Sequence, residues 1–154
     1  MPSIRMVSAD DLPALRDLYA GSVLAVGLTH YTPEQVQAWA ASAWDERFES
    51  FSLKPMTVVA VHGDTITGFG GIEPDGHITS LYVHAGHLRQ GVGTLILQHL
   101  IDHAQQQRMS RLHAEASYFS KPLFEKCGFT TSSIERSIHK GVAFERYLMG
   151  RSLI

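Results

Sequence analysis

ITSLYVHAGHLRQGVGTLILQHL, residues 78–100, decides how the rest of the chain is read. A strand-like run, Ile78 to Val83, leads into a polar connection ending in Arg89-Gln90-Gly91-Val92-Gly93, and an apolar helical pattern follows at once. Strand, glycine-bearing turn and helix in that order make an anion site. The first N–H groups of a helix have no partner inside it, and the helix dipole adds roughly half a positive charge there. Glycine lets a ligand approach the backbone because no Cβ stands in the way. Read alone, the pattern suits a phosphate site or a plain tight turn. It is not the nucleotide-hydrolase loop, because Gly91-Val92-Gly93 is not followed by Lys-Ser or Lys-Thr. It is not the dinucleotide fingerprint either, because Ile96 stands where a third small residue is needed.

The wider stretch resembles motif A of the GNAT superfamily of N-acetyltransferases. Leu81-Tyr82-Val83 looks like the end of that motif's strand, and Gly91 and Gly93 match its two small residues. Leu88 stands where the superfamily usually has Arg or Gln, a departure that leaves the backbone contacts to pyrophosphate intact. Downstream, Leu123-Phe124-Glu125-Lys126-Cys127-Gly128-Phe129 resembles the superfamily's Leu-Tyr-Glu-Lys-x-Gly-Phe signature. The two matches come in the right order and spacing. Leu112 to Ser117, with Tyr31, Gln35 and Trp39 at intervals of four, looks most like a bacterial subgroup.

Bulk properties narrow the field. The 154 residues suit one domain, 1–154, with a proper core, and 44% hydrophobic with 18% charged residues is ordinary for a globular protein. A net charge of −2 without a basic block points away from nucleic acid. Cys127 is the single cysteine and cannot form an internal disulfide, which fits a reducing compartment. No apolar run approaches ~20 residues, so no membrane partner is expected. The expected location is cytoplasmic.

Along the chain, Ser3 to Val7 reads as a strand, and a helix capped by Asp10 or Asp11 runs to about Val26 with Gly27 as its stop. Thr32-Pro33-Glu34-Gln35 is a helix start with a capping box, and Tyr31 and Val36 suit a hydrophobic staple. Trp44 to Lys54 suits a short helix or a loop. Met56–Val61, Thr65–Ile72 and His77–Val83 form a meander, whose glycines 68, 70 and 71 hint at close packing or a bulge. The helix that follows shows Val92, Leu95, Ile96, Leu100 and Ala104 on one face. Then come a strand (Arg111–Ala116), a short helix (Lys121–Cys127) and two strands, Phe129–His139 and Val142–Leu148. The predicted class is α/β: a mixed, mostly antiparallel sheet of six to seven strands with about four helices, the single-domain GNAT fold. His99 and His103 lack an acidic partner, so no metal is expected.

The resemblance implies acetyl transfer from acetyl-CoA, as co-substrate, to a primary amine by direct attack in a ternary complex. Backbone groups of Leu88, Arg89, Gln90, Gly91, Val92, Gly93 and Thr94 would hold the pyrophosphate. The strand before motif A and the strand after its helix would splay apart, and in the resulting notch the backbone groups of Leu81, Tyr82 and Val83 would align the pantetheine, with the Val83 N–H polarising the thioester; one such donor is typically worth ~3–4 kcal/mol. Ser117 stands where relatives often have Asn, and with Ser120 and Phe124 it completes the cofactor set. Tyr31, Trp39 and Glu73 would line the acceptor site, although Tyr31 and Trp39 equally suit a core stripe. An alkylammonium has a pKa near ~10.4, so a base is needed. Glu73 is the first candidate, acting through water, with His77, His84 and Glu115 behind it. The departing thiolate often meets a Tyr in this superfamily, but Phe124 has no proton to give. Tyr118, Ser117 or Ser120 would substitute, or the thiolate would leave unassisted. Cys127 lies at the wrong end of its helix for a nucleophilic anion. The acceptor is a small molecule or a peptide amine, and low net charge argues mildly against a strongly cationic one. Two other outcomes stay open: a CoA-binding regulatory module with little turnover, and transfer of a longer acyl group. The final hairpin offers an edge through which a homodimer would form.

Overall fold

The computed structural model describes residues 2–154. Its elements are β1 (Pro2–Met6), α1 (Leu12–Val26), α2 (Pro33–Ala41), α3 (Phe48–Leu53), β2 (Met56–His62), β3 (Thr65–Ile72), β4 (Ile78–Val83), α4 (Val92–Gln106), β5 (Arg111–Ala116), α5 (Lys121–Lys126), β6 (Thr130–His139) and β7 (Val142–Ser152). The expected α/β class and mostly antiparallel pairing are present. The strands form two sheets, however, not one: β1-β2-β3-β4 and β5-β7-β6, each antiparallel throughout. There are five α-helices, because Phe48–Leu53 is helical.

Local chemistry explains most boundaries. Thr32 accepts from the Gln35 N–H at 3.1 Å, and Gln35 Oε1 accepts from the Thr32 N–H at 3.0 Å, the reciprocal cap that starts α2. Asp11 stands at the N-cap of α1, one of the two expected positions, but its side chain accepts from the Ser8 N–H at 2.8 Å, and Ser8 caps a 3₁₀ turn that runs into the helix. Helix α1 ends at Val26 with Gly27 as its C-cap, as expected; Gly27 keeps right-handed angles and the chain continues into another 3₁₀ turn.

Helix α4 fills the space under both sheets. Ile96, Leu97, Leu100, Ile101 and Ala104 are wholly buried against β2, β3, β5 and β7. Each large one is worth ~1.5–3 kcal/mol of burial. The sequence stripe placed Leu95 on that face. It is 36% exposed instead, and Leu97 and Ile101 take the inner positions because the helix is covered on more than one narrow face. The bare faces of Gly68 and Gly70 admit the Ile96 side chain. On the other side of the first sheet, α1, α2 and α3 pack Leu15, Leu18, Val36, Phe48 and Phe69 into a second cluster.

The two sheets meet at one point. His77 and His113 form a parallel bridge, and the His113 N–H donates to the Gly76 carbonyl at 3.0 Å. Gly76 has φ +93, and a Cβ there would lie 2.0 Å from the Arg111 carbonyl oxygen, so only glycine closes this apex. Beyond it β4 and β5 part and leave a notch.

Candidate functional site

One side of the notch is the free edge of β4. The His84 N–H donates to the Thr67 carbonyl at 2.8 Å, and the register pairs Gly68 with Val83 and Phe69 with Tyr82. In an antiparallel ladder that bond fixes the phase. Tyr82 exchanges bonds with β3, while the N–H groups of Leu81 and Val83 point away from β3, into the notch. The Leu81 and Val83 side chains pack toward α4, and Tyr82 packs among the aromatic residues of the opposite face.

The end of β4 feeds a short 3₁₀ turn, Ala85–His87, and then Leu88 to Gly91. Arg89 has φ +60 and Gly91 has φ +81. A left-handed conformation costs a non-glycine residue ~1–2 kcal/mol, so the turn is held in this shape by its surroundings. Gly91 is the N-cap of α4 and offers no side-chain acceptor, which leaves the first amides of α4, at Val92, Gly93 and Thr94, without a capping side chain. Leu88, Arg89 and Gln90 are exposed, and Arg89 forms no ion pair among the described residues. The other side of the notch is the turn between β5 and α5. There Ser117 and Ser120 lock each other: the Ser117 N–H donates to Ser120 Oγ at 2.9 Å and the Ser120 N–H donates to Ser117 Oγ at 3.1 Å. Phe124 is buried beside them, edge-on to Phe129.

A cavity of about 640 Å³ opens from this notch. Leu81, Tyr82, Ser117, Ser120 and Phe124 line it, and so do Tyr31 and Trp39. Val83 and the Leu88–Thr94 segment do not line it, and neither do Glu73 and Tyr118. Glu73 is joined to the cavity wall through His77, whose Nδ1 is 3.1 Å from Glu73 and whose Nε2 is 2.6 Å from Glu115. Both His77 and Glu115 line the cavity. The Glu115 contact chiefly, aided by Glu73 and opposed by burial, pushes the His77 pKa up to about 9. The same contact holds Glu115 below the usual carboxylate range. Two carboxylates around one imidazolium leave a net charge of −1. Tyr118 stacks on His30 with ring centroids 3.7 Å apart and lines a smaller neighbouring cavity of about 260 Å³. Its N–H donates to the Tyr31 hydroxyl at 3.1 Å.

The cavity also holds residues the sequence did not mark: Tyr19, Ser42, Phe51, His139, Phe144 and Arg146. Tyr19 reads as a core position of α1, and it is indeed 6% exposed. Ser42 and His139 are 97 residues apart in the chain, and no local pattern connects them. Among the described residues no cluster of three or more His, Cys, Asp or Glu side chains suits a metal ion. No helix among them is long and apolar enough to cross a membrane.

Comparison with known proteins agrees with this geometry. Residues 27–149 match the family model described as an acetyltransferase (GNAT) domain. The Escherichia coli (strain K12) protein YafP, described as an uncharacterized N-acetyltransferase, is 31% identical over 150 residues, 95% of this chain and 93% of that one. A GCN5-related N-acetyltransferase structure from Rhodopseudomonas palustris superposes with a TM-score of 0.93 at 26% identity, covering 99% of this chain and 96% of that one. The PaiA N-acetyltransferase of Thermoplasma acidophilum, solved in complex with coenzyme A, shares the fold: TM-score 0.80, 14% identity, 99% of both chains covered.

Proposed function

Since the chain belongs to the GNAT family of acetyltransferases, we propose that it moves an acetyl group from acetyl-CoA to a primary amine by direct attack in a ternary complex. Residues 1–154 act as one catalytic domain in a reducing, cytoplasmic setting where Cys127 stays a thiol. The observation that carries this is the open β4 edge, whose Leu81 and Val83 amides face a notch next to the uncapped start of α4. A CoA complex of a protein with the same fold supports the ligand.

In this reading the amides of Val92, Gly93 and Thr94 take the pyrophosphate, and the Leu88–Gly91 turn shapes the approach. The pantetheine lies along β4 as an added strand, opposite Ser117, Ser120 and Phe124. The amine nitrogen attacks the thioester carbonyl carbon, the oxygen gains charge against the outward amides, and the C–S bond then breaks. CoA leaves as the thiolate. A thiol pKa of ~8.5 makes that a good leaving group, so no side-chain acid is required. A donor role for Tyr118 needs its ring to swing off His30. The proton lost by the amine passes, through water, to the Glu73–His77–Glu115 group, whose net negative charge receives it. Glu73 remains the base in this scheme, and Glu115 is the carboxylate of the group that lines the cavity.

The test is thiol release from acetyl-CoA across a panel of primary amines. Amine-dependent release is expected. CoA binding without such release indicates a binding module, and faster release from propionyl- or succinyl-CoA indicates a longer acyl group. Glu73→Gln should lower kcat/KM at neutral pH by up to ~10²–10⁴-fold, with partial recovery at high pH.

A further inference from the structure

The acceptor half of the cavity has a composition of its own. Tyr31 and Trp39 pack edge to face at 5.4 Å, and Tyr19 and Tyr82 lie 4.4 Å apart, with Phe51 and Phe144 completing the wall. A string of neutral hydrogen-bonding groups runs across these rings. Trp39 Nε1–H donates to the Tyr82 hydroxyl at 3.3 Å, and Ser42 Oγ is 2.6 Å from His139 Nε2. Burial raises the pKa of both Tyr19 and Tyr82, so both stay protonated. His139 is held below the ordinary imidazole value by burial first and then by Lys140, with Arg47 adding and Asp45 opposing. It is therefore neutral at neutral pH, and its Nδ1 has no partner among the described residues.

Two of the charges lining the cavity are paired: Glu115 holds His77, and Arg146 holds Glu135 on the neighbouring strand, while Glu145 lies at the exposed rim opposite Arg136. A polycation would find no row of carboxylates here, only the Glu115 group at the notch and Glu145 at the rim, and the acceptor end is walled by rings.

We infer that the acceptor is an amine on a flat, apolar frame whose far end carries a hydroxyl, with the frame lying among Tyr31, Trp39, Tyr82 and Phe144 and the hydroxyl met by the Ser42–His139 pair. This rests on the amine-acetylation reading and names the acceptor class for the same cavity. Ser42 and His139 are specificity residues; the proton still leaves by the carboxylate group at the notch. In the tautomer that donates from His139 Nε2 to Ser42, the free Nδ1 accepts from the acceptor's hydroxyl.

The experiment compares four acceptors with acetyl-CoA: tyramine, phenethylamine, spermidine and a short peptide with a free N-terminal alanine. Tyramine is expected to exceed phenethylamine by about tenfold in kcat/KM, the worth of one hydrogen bond of ~1.4 kcal/mol, and both to exceed spermidine and the peptide. Amine protonation largely cancels in the tyramine-to-phenethylamine ratio. The ratio should fall toward one in His139→Phe and in Ser42→Ala, with CoA binding measured in parallel to show that each variant is folded. Spermidine or the peptide as the best acceptor overturns this inference and leaves amine acetylation standing. So does a tyramine ratio that neither variant changes. Thiol release with none of the four, nor with the wider panel, overturns the acetylation reading itself.

Discussion

Replacing His77 with Gln takes the cation out of the bridge at the apex of the notch and leaves a side chain that still hydrogen-bonds one carboxylate. In the folded protein the imidazole lies 3.1 Å from Glu73 and 2.6 Å from Glu115, and its pKa stands at about 9. Unfolded, it returns to ~6.5. A raised folded pKa gives stability that is fully present below the unfolded value and disappears as pH rises through the folded one, so the window runs from ~6.5 to about 9. The difference, about 9 minus 6.5, corresponds to ~3.4 kcal/mol without screening. The His77, Glu73 and Glu115 side chains are 25%, 43% and 30% exposed, and water screens them. About 2 kcal/mol remains after that discount, or about 5 °C in Tm for a chain of this size. Thermal melts of wild type and His77→Gln at pH 6, 7.5 and 9.5 measure it. The gap should be widest at pH 6 and should close by pH 9.5. An equal gap at every pH, or none at pH 6, refutes the assignment of His77 as a buttressed imidazolium.

Gly76→Ala should destabilise the protein by several kcal/mol (at the upper end of ~1–3 or beyond), because the new Cβ meets the Arg111 carbonyl and φ is +93; denaturant unfolding with and without CoA separates lost stability from a lost site. At Gly91 nothing lies within 4 Å of an added Cβ, so Gly91→Ala costs only the strain of φ +81, ~1–2 kcal/mol, and calorimetry should show weaker CoA binding with the fold retained. Thr32→Ala removes the α2 cap and should cost ~1 kcal/mol in chemical denaturation.

The fold was largely legible because its signals are local. A strand, a glycine turn and an apolar helix at 78–100 placed β4 and α4, and the Thr32–Gln35 box placed the start of α2 to the residue. One feature followed from the resemblance and one was hidden. The parting of β4 and β5 beyond the His77–His113 bridge is what the GNAT resemblance implies, although alternation within either strand carries no trace of its partner. His139 reads as the last residue before a Lys140-Gly141 turn; only the packing of the β6–β7 hairpin against the end of α2 brings it to Ser42. Glu73 was marked by its place beside β4, but its coupling to Glu115 through His77 needed the apex geometry.

The main chain of β4 and of the α4 start is the proposed cofactor grip, and amide NMR tests it directly. Titrating the ¹⁵N-labelled protein with acetyl-CoA should shift the amide signals of Leu81, Val83 and Val92 to Thr94, with the Tyr82 amide, engaged with β3, moving less. Saturable binding that leaves Leu81, Val83 and the α4 amides unmoved would contradict the account.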